Sequence, residues 1–310
     1  MSQATSSNDR ATNANLHSIT LMIAAMGCFT IADLLIKIAS QTMPVGQAML
    51  VLGLGSTVVF LILMRMKKEP VLLTPLAQPA MLLRSSGDFL GSTSMCLALA
   101  YVPISTIGAV IQAVPLMLTA AGALFLGERV GIRRLSAIFV GFVGVMFILQ
   151  PGRTDFDAMV MLALLAAVGL TIRDIGTKLV SHKVSTLLVS FYGSMIFAIS
   201  GAILLSITGG AVWPGGTMIV MFLAMIALGS VGYVCVTNAV RIGEMSVVSP
   251  FRYSRLLFSV AAGVIIFGEQ LDAMMLFGCA LTMGAGLYIW RREILLKPAT
   301  GLGGAEQTRP

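Results

Sequence analysis

Long apolar runs separated by brief polar breaks set the rhythm of this chain, and the runs are of helical length. A helix needs about 20 apolar residues to cross the hydrocarbon layer of a bilayer. Ten windows qualify: 17–39, 44–66, 80–100, 104–126, 131–149, 157–180, 185–207, 217–239, 246–267 and 272–290. No window alternates with a period of two, so no strand is predicted. The link between Ala39 and Pro44 permits only an antiparallel helical hairpin. Pro115 inside the fourth window and Pro250 early in the ninth predict kinks that free backbone carbonyls.

The windows repeat. Asp33 and Asp174, Lys37 and Lys178, and Glu128 and Glu269 each stand 141 residues apart. The same shift lays Leu126-Gly-Glu-Arg-Val130 over Phe267-Gly-Glu-Gln-Leu271, and Gly91 over Gly232. Two copies of a five-span unit follow one another, and an odd number of spans forces the second copy upside down. Inverted repeats in a membrane are the architecture of alternating-access carriers. The predicted division is a disordered tail over 1–16, a first repeat over 17–150, a second over 157–292 and a tail over 293–310. Gly141 and Gly144, Gly229 and Gly232, and Gly284 and Gly286 supply small faces on which helices approach closely in lipid.

Composition changes the picture little. Hydrophobic residues make up 57% and charged residues 11%, far below the roughly 25% charge that a soluble surface carries. The formal charge of +7 sits in loops. Arg10, Arg65, Lys67, Lys68, Arg129, Arg133, Arg134, Lys183, Arg241, Arg291, Arg292 and Lys297 share one side. The other side has Arg153, offset by Asp155 and Asp157. That asymmetry predicts both termini in the cytoplasm and leaves no reason to invoke nucleic acid. Cys28, Cys96, Cys235 and Cys279 lie in apolar stretches as packing residues, and His17 and His182 have no ligand-spaced neighbour, so no metal or cofactor is expected. Residues 1–15 lack the features of a cleaved signal peptide.

Charges inside the spans are the candidate chemistry, because each costs at least about 2.5 kcal/mol unless it pairs or faces an interior. Asp33 with Lys37, Asp174 with Lys178, and Arg84 with Asp88 stand at i,i+4 spacing and can pair along one helix face. For Arg84, Asp88 and Lys178, near an edge, two readings stay open: neutralising pairs that snorkel, or functional groups. Asp33 and Asp174, deeper and symmetry-related, are candidates for gate ion pairs or proton sites. Arg252 and Arg255 share a face of the ninth span, and Arg173 lies beside Asp174 on the sixth. They either line a cavity for an anionic or hydrogen-bond-rich planar solute, or form an Arg–Asp network through Asp174. Tyr253, its repeat mate Gln112, and Asn238 are further polar cavity candidates. Glu128 and Glu269, at span ends, suggest capping of the following helix or bonds to loop amides.

The segments Leu126-Gly-Glu-Arg-Val-Gly-Ile-Arg-Arg134 and Gly141-Phe-Val-Gly144 resemble the drug/metabolite transporter superfamily in its ten-helix EamA-type branch. So do Ser249-Pro-Phe-Arg-Tyr-Ser-Arg255, Phe267-Gly-Glu-Gln-Leu-Asp272 and Gly286-Leu-Tyr-Ile-Trp-Arg-Arg-Glu293. The resemblance covers about residues 17 to 293. In many relatives a basic residue follows the Pro-Val-Gly-Gln stretch, whereas here Pro44-Val-Gly-Gln47 leads into uncharged Ala48–Leu52. The resemblance implies a carrier of small metabolites. The branch includes amino-acid and metabolite exporters and groups that take up S-adenosylmethionine or riboflavin; the arginines of spans six and nine most resemble the two uptake groups, and the resemblance makes riboflavin uptake the first expectation.

The reading is an all-α membrane protein of ten helices in two inverted repeats, a secondary transporter in a bacterial inner membrane. Spans one, three, four, six, eight and nine are expected to be the main lining of a central cavity, with spans five and ten as scaffold or homodimer surface. A membrane-embedded enzyme would need a His, Asp or Ser cluster near one interface, and an adaptor would need large loops; the sequence has neither. No nucleotide-binding motif is present.

Overall fold

Residues 2–71, 74–125, 132–151, 157–181, 183–242 and 248–296 are described by a computed structural model, in which helix is the only extended element among the described residues. Helices α1 (Ser2–Ala39), α2 (Val45–Met66) and α3 (Pro79–Tyr101) form the first three spans. The fourth is broken into α4 (Ile104–Ile111) and α5 (Ala113–Phe125), and α6 (Ile132–Leu149) is the fifth. The second half comprises α7 (Val160–Leu179), α8 (Thr186–Thr208) and α9 (Gly216–Ile242), then a 3₁₀ turn (Ser249–Tyr253) running into α10 (Ser254–Phe267), and α11 (Ala273–Leu296). Eight helical stretches are long and apolar enough to cross a membrane. The shorter Leu135–Leu149 and α3, which carries Arg84 and Asp88, complete ten. Apolar side chains such as Phe139, Val220 and Ile265 are exposed, as a multi-pass membrane protein requires of its lipid-facing surface.

Each repeat packs its helices on the other. The principal contacts join α1 to α9, α3 to α7, α2 to α8, α4 to α10 and α6 to α11. A twofold exchange of the repeats turns the α1–α9 contact into the α7–α3 contact and maps the α2–α8 and α6–α11 contacts onto themselves. The symmetry holds residue by residue. A Cβ on Gly91 would lie 2.9 Å from the Leu170 amide nitrogen and 3.1 Å from the carbonyl carbon of Gly169. A Cβ on Gly232, 141 residues later, would lie 3.1 Å from Phe29 and 3.2 Å from Cys28, the mates of Leu170 and Gly169. Gly53 meets Ala198, and the mates of those residues, Ser194 and Thr57, share a hydrogen bond of 2.9 Å between their hydroxyls. Glycine lets these backbones touch where lipid supplies no hydrophobic drive. Gly144 does this against Gly278 and Thr282 of α11, and Gly286 receives Tyr253. Gly284, expected at such a face, has nothing near it.

The two breaks are also symmetry mates, since Gln112 and Tyr253 stand 141 apart. Pro115 has no N–H to give and its ring crowds the carbonyl of Ile111. At Gln112 the backbone tightens, with its N–H donating to the Ala109 carbonyl at 3.1 Å. In the second half Pro250 stands in the first turn of the 3₁₀ segment, where a missing N–H is tolerated.

Helix α1 runs outward from the first span as far as Ser2. One expectation is corrected here. Glu269 does not cap the helix that follows it. Its carboxylate accepts from the Ile104 and Ser105 backbone N–H groups at 2.8 and 3.0 Å and from the Ser105 hydroxyl at 2.5 Å. It therefore caps α4 of the other repeat, whose first amides have no intrahelical partner. Glu128 lies outside the described residues.

Candidate functional site

The pairing of helices between repeats leaves a cavity along the pseudo-twofold axis. It encloses about 150 Å³ open to the centre of a water-sized sphere. Ser56, Gly91 and Gly229 line it from near the middles of α2, α3 and α9, which sets it at mid-depth in the bilayer. The described lining comes from spans one to four and six to nine. Spans two and seven contribute as well, through Ser56 and Phe60 of α2 and Gly193 and Ser194 of α8; Gly193 lies against Tyr233 and Asp88, and Gly53 packs α2 on Ala198 of α8.

Charge is concentrated on its wall. Arg255 of α10 reaches across to α1, its Nη2 lying 2.6 Å from Asp33 Oδ2, and its guanidinium lies 5.9 Å from the centre of the Phe29 ring. Arg252, in the 3₁₀ turn, places Nη2 2.7 Å from Asp174 Oδ2 on α7. Arg173 donates to Asp174 Oδ1 through Nε and Nη2 at 3.0 and 2.9 Å, and its Nε stands 3.9 Å from Asp88 Oδ1. On α3, Arg84 donates to Asp88 Oδ2 at 2.7 Å and to the Tyr233 hydroxyl, while that hydroxyl donates to the same Asp88 oxygen at 2.7 Å. Arg84, Asp88, Arg173, Asp174, Arg252 and Arg255 are all buried, and Asp33 nearly so. Each carboxylate holds at least one guanidinium, the arrangement that makes a buried charge tolerable.

Four expected residues line the cavity as arginine or amide groups: Arg173, Arg252, Arg255 and Gln112. Asp33 lines it too, whereas Asp174 lies behind it, clamping two arginines. For Arg252 and Arg255 the alternatives merge: both face the cavity and both pair with aspartate. The other expectations fail on geometry. Lys37 does not pair with Asp33. Arg255 occupies that carboxylate, and Lys37 donates to the carbonyls of Leu99 at 3.3 Å and Val102 at 2.6 Å, free acceptors at the end of α3. Lys178 does not pair with Asp174, which is held by Arg173 and Arg252, and its side chain is exposed. Tyr253 points away from the cavity into α11, where its hydroxyl fills the space left by Gly286. Asn238 lies on α9 beyond the cavity's lining. Arg84 does not snorkel; it is 1% exposed.

The sequence reading missed Tyr233, Phe29 and Phe60 on the wall. Tyr233 had a signal: it is the polar aromatic one turn beyond Gly229 and next to Gly232, in a stretch otherwise built of small residues. Phe29 and Phe60 had none, because an interior aromatic and a lipid-facing one read alike.

The comparisons with known proteins agree with this architecture. A solved crystal structure 18% identical in sequence superposes with a TM-score of 0.63 over 89% of this chain and 97% of its own, a likeness of fold. A protein named S-adenosylmethionine uptake transporter from Rickettsia felis is 27% identical over 65% of this chain and 68% of its own length. One named riboflavin transporter from Rhizobium johnstonii is 30% identical over 66% of this chain and 68% of its own. A pseudopaline exporter from Pseudomonas aeruginosa is 22% identical over 89% and 96%. The model of the EamA-like transporter family matches residues 16–150 and again 157–291, the two halves that the twofold exchanges. This ten-helix chain with its mid-membrane cavity belongs to the EamA-like transporter family.

Proposed function

We propose that the protein is a secondary transporter that takes up riboflavin across a bacterial inner membrane, with both termini in the cytoplasm. The observation that supports this most is the cavity on the pseudo-twofold axis, lined by three guanidinium groups and the rings of Phe29, Phe60 and Tyr233. Aromatic and guanidinium faces accept a flat heterocycle, and guanidinium N–H groups meet its ring carbonyls. The site lies where two inverted repeats meet, so rocking one against the other exposes it to either side in turn. The pair Arg255–Asp33 ties span nine of the second repeat to span one of the first and is a contact such a motion must break or exchange, whereas Arg252–Asp174 lies within the second repeat.

A second reading, S-adenosylmethionine uptake, draws on the similarity to the Rickettsia protein of that name. Electrostatics disfavours it. The buried charges of the site are four arginines and three aspartates, and S-adenosylmethionine carries a net positive charge at neutral pH. Riboflavin is neutral. With no nucleotide-binding motif in the sequence, exchange, an ion gradient or simple facilitated diffusion drives the cycle. The residues described carry no catalytic constellation in the cavity, and transport without chemistry is the proposed activity.

Uptake by proteoliposomes of radiolabelled riboflavin and S-adenosylmethionine, with and without a pH gradient, tests the proposal. Riboflavin is expected to enter faster than into protein-free vesicles, and S-adenosylmethionine not. Entry of S-adenosylmethionine alone, or of neither, rejects it.

A further inference from the structure

Two hydrogen-bond donors on the cavity wall have no partner. Gln112, 1% exposed, leaves Nε2 unbonded, and Arg252, 7% exposed, leaves Nε unbonded while its Nη2 makes only the ion pair with Asp174. Both residues line the cavity. They come from opposite repeats but from the same structural feature: Gln112 is the break between α4 and α5, and Arg252 lies in the 3₁₀ turn that opens span nine. The packing of α4 on α10 also brings the two breaks level. Gly108 rests against Ser259, and Gly263 against Ile104, so one further turn sets Gln112 opposite Arg255, beside Arg252. A buried donor without an acceptor is expensive, and native structures leave very few. A charge argument points the same way. Four arginines against three aspartates leave one guanidinium without a counter-charge at mid-membrane, and protonating any aspartate enlarges the surplus.

We propose that Gln112 and Arg252 form a subsite for two coplanar carbonyl-type oxygens on the transported molecule. Under the riboflavin reading, on which this rests, those oxygens are the two carbonyls of the flavin's pyrimidine edge. A carboxylate presents two coplanar oxygens closer together, with a full negative charge. Gln112 donates from the first repeat and Arg252 from the second, so one ligand edge bridges the halves that rock. The aromatic side chains then take the ring face, and the ribityl chain makes no contact with this pair.

The test is equilibrium binding to the full chain in detergent, read by quenching of flavin fluorescence. The probes are riboflavin and lumiflavin, which keeps the edge and lacks the ribityl chain. Gln112→Leu and Arg252→Lys are each expected to weaken both flavins equally, by about tenfold or more, as loss of a hydrogen bond from a buried site does. Gln112→Glu, nearly isosteric, exchanges the donor for an acceptor and weakens binding further. Melting temperatures of the unliganded variants establish that they fold. Flavin binding within about twofold of wild type in both Gln112 variants overturns the subsite. If the unaltered protein binds no flavin, the vitamin reading falls and benzoate decides the subsite against methyl benzoate. A melting-temperature rise with benzoate alone, lost in Gln112→Leu, upholds it; no rise with benzoate overturns it.

Discussion

At the scale of single residues, Asp33 and Asp174 both accept a guanidinium from span nine and neglect the lysines on their own helices. Asp33 has Lys37 one turn away on α1, yet it binds Arg255 of α10, 222 residues distant in sequence. A guanidinium offers several donors in a fixed plane, whereas an ammonium is a compact, strongly hydrated charge that does better near an interface or a helix end. Lys37 takes that place on the terminal carbonyls of α3, with its ammonium 5.5 Å from the centre of the Phe267 ring. Breaking one side of a buried pair costs about 3–5 kcal/mol, more than an isosteric apolar replacement of both. Asp33→Leu is therefore expected to destabilise the protein by that amount, and Asp33→Leu with Arg255→Met to recover at least half of it. Unfolding in detergent monitored by circular dichroism measures both. A double variant no more stable than the single one would show that the pair does not act as a unit.

Elements depend on contacts made across the repeats. α4 is short and begins directly after Pro103, and its first amides are held by Glu269 from the far end of α10. Loss of a helix cap costs about 0.5–2 kcal/mol, so Glu269→Ala should lower thermal stability by that order and increase hydrogen exchange at the start of α4. Protection unchanged at Ile104 and Ser105 would contradict the assignment. The α3–α7 crossing makes a sharper case. A Cβ on Gly169 would collide with the Gly91 backbone, and one on Gly284 would meet nothing within 4 Å. Gly169→Val is expected to cost upwards of about 1–3 kcal/mol through overpacking and to sharply reduce the folded yield, while Gly284→Val leaves it close to wild type. Size-exclusion profiles of the two expressed side by side make the comparison.

For the whole molecule the governing fact is the twofold relation between the repeats. α2 and α8 cross on its axis, where the hydroxyls of Thr57 and Ser194 lie 2.9 Å apart. A disulfide between Thr57→Cys and Ser194→Cys, made after Cys28, Cys96, Cys235 and Cys279 are replaced by alanine, would tie the halves at the axis. Transport that requires the halves to rock should fall at least about tenfold on oxidation and return on reduction, in a proteoliposome uptake assay. Full-rate uptake by the cross-linked protein would rule out rocking of α2 against α8. Parity adds a topological prediction. Ten spans would set both termini on one face, and the basic loops predict that this face is cytoplasmic. Single cysteines at Ser6 and Ala305 should therefore react with an impermeant maleimide in inside-out vesicles and not in intact spheroplasts.

What the amino-acid order determines here is whatever depends on period and composition. The apolar windows mark ten spans, the 141-residue recurrence of Asp33, Lys37 and Glu128 marks the duplication, and odd parity inverts the second copy. The prolines mark the broken spans, although the break falls at Gln112, three residues before Pro115, because the ring disturbs the turn that precedes it. The charged cavity residues are also conspicuous in the sequence, since a charge within an apolar run is rare for energetic reasons. Their pairing is not. Local spacing offers Asp33 to Lys37 and Asp174 to Lys178, and only the packing of α10 against α1 and the reach of Arg252 from the 3₁₀ turn to α7 bring guanidinium groups to those carboxylates. Likewise Gln112 and Tyr253 are equivalent by sequence, yet one faces the cavity and the other fills the hollow at Gly286. A side chain's partner in a low-dielectric interior is the strongest complementary group within reach, and reach is a property of the assembled helices.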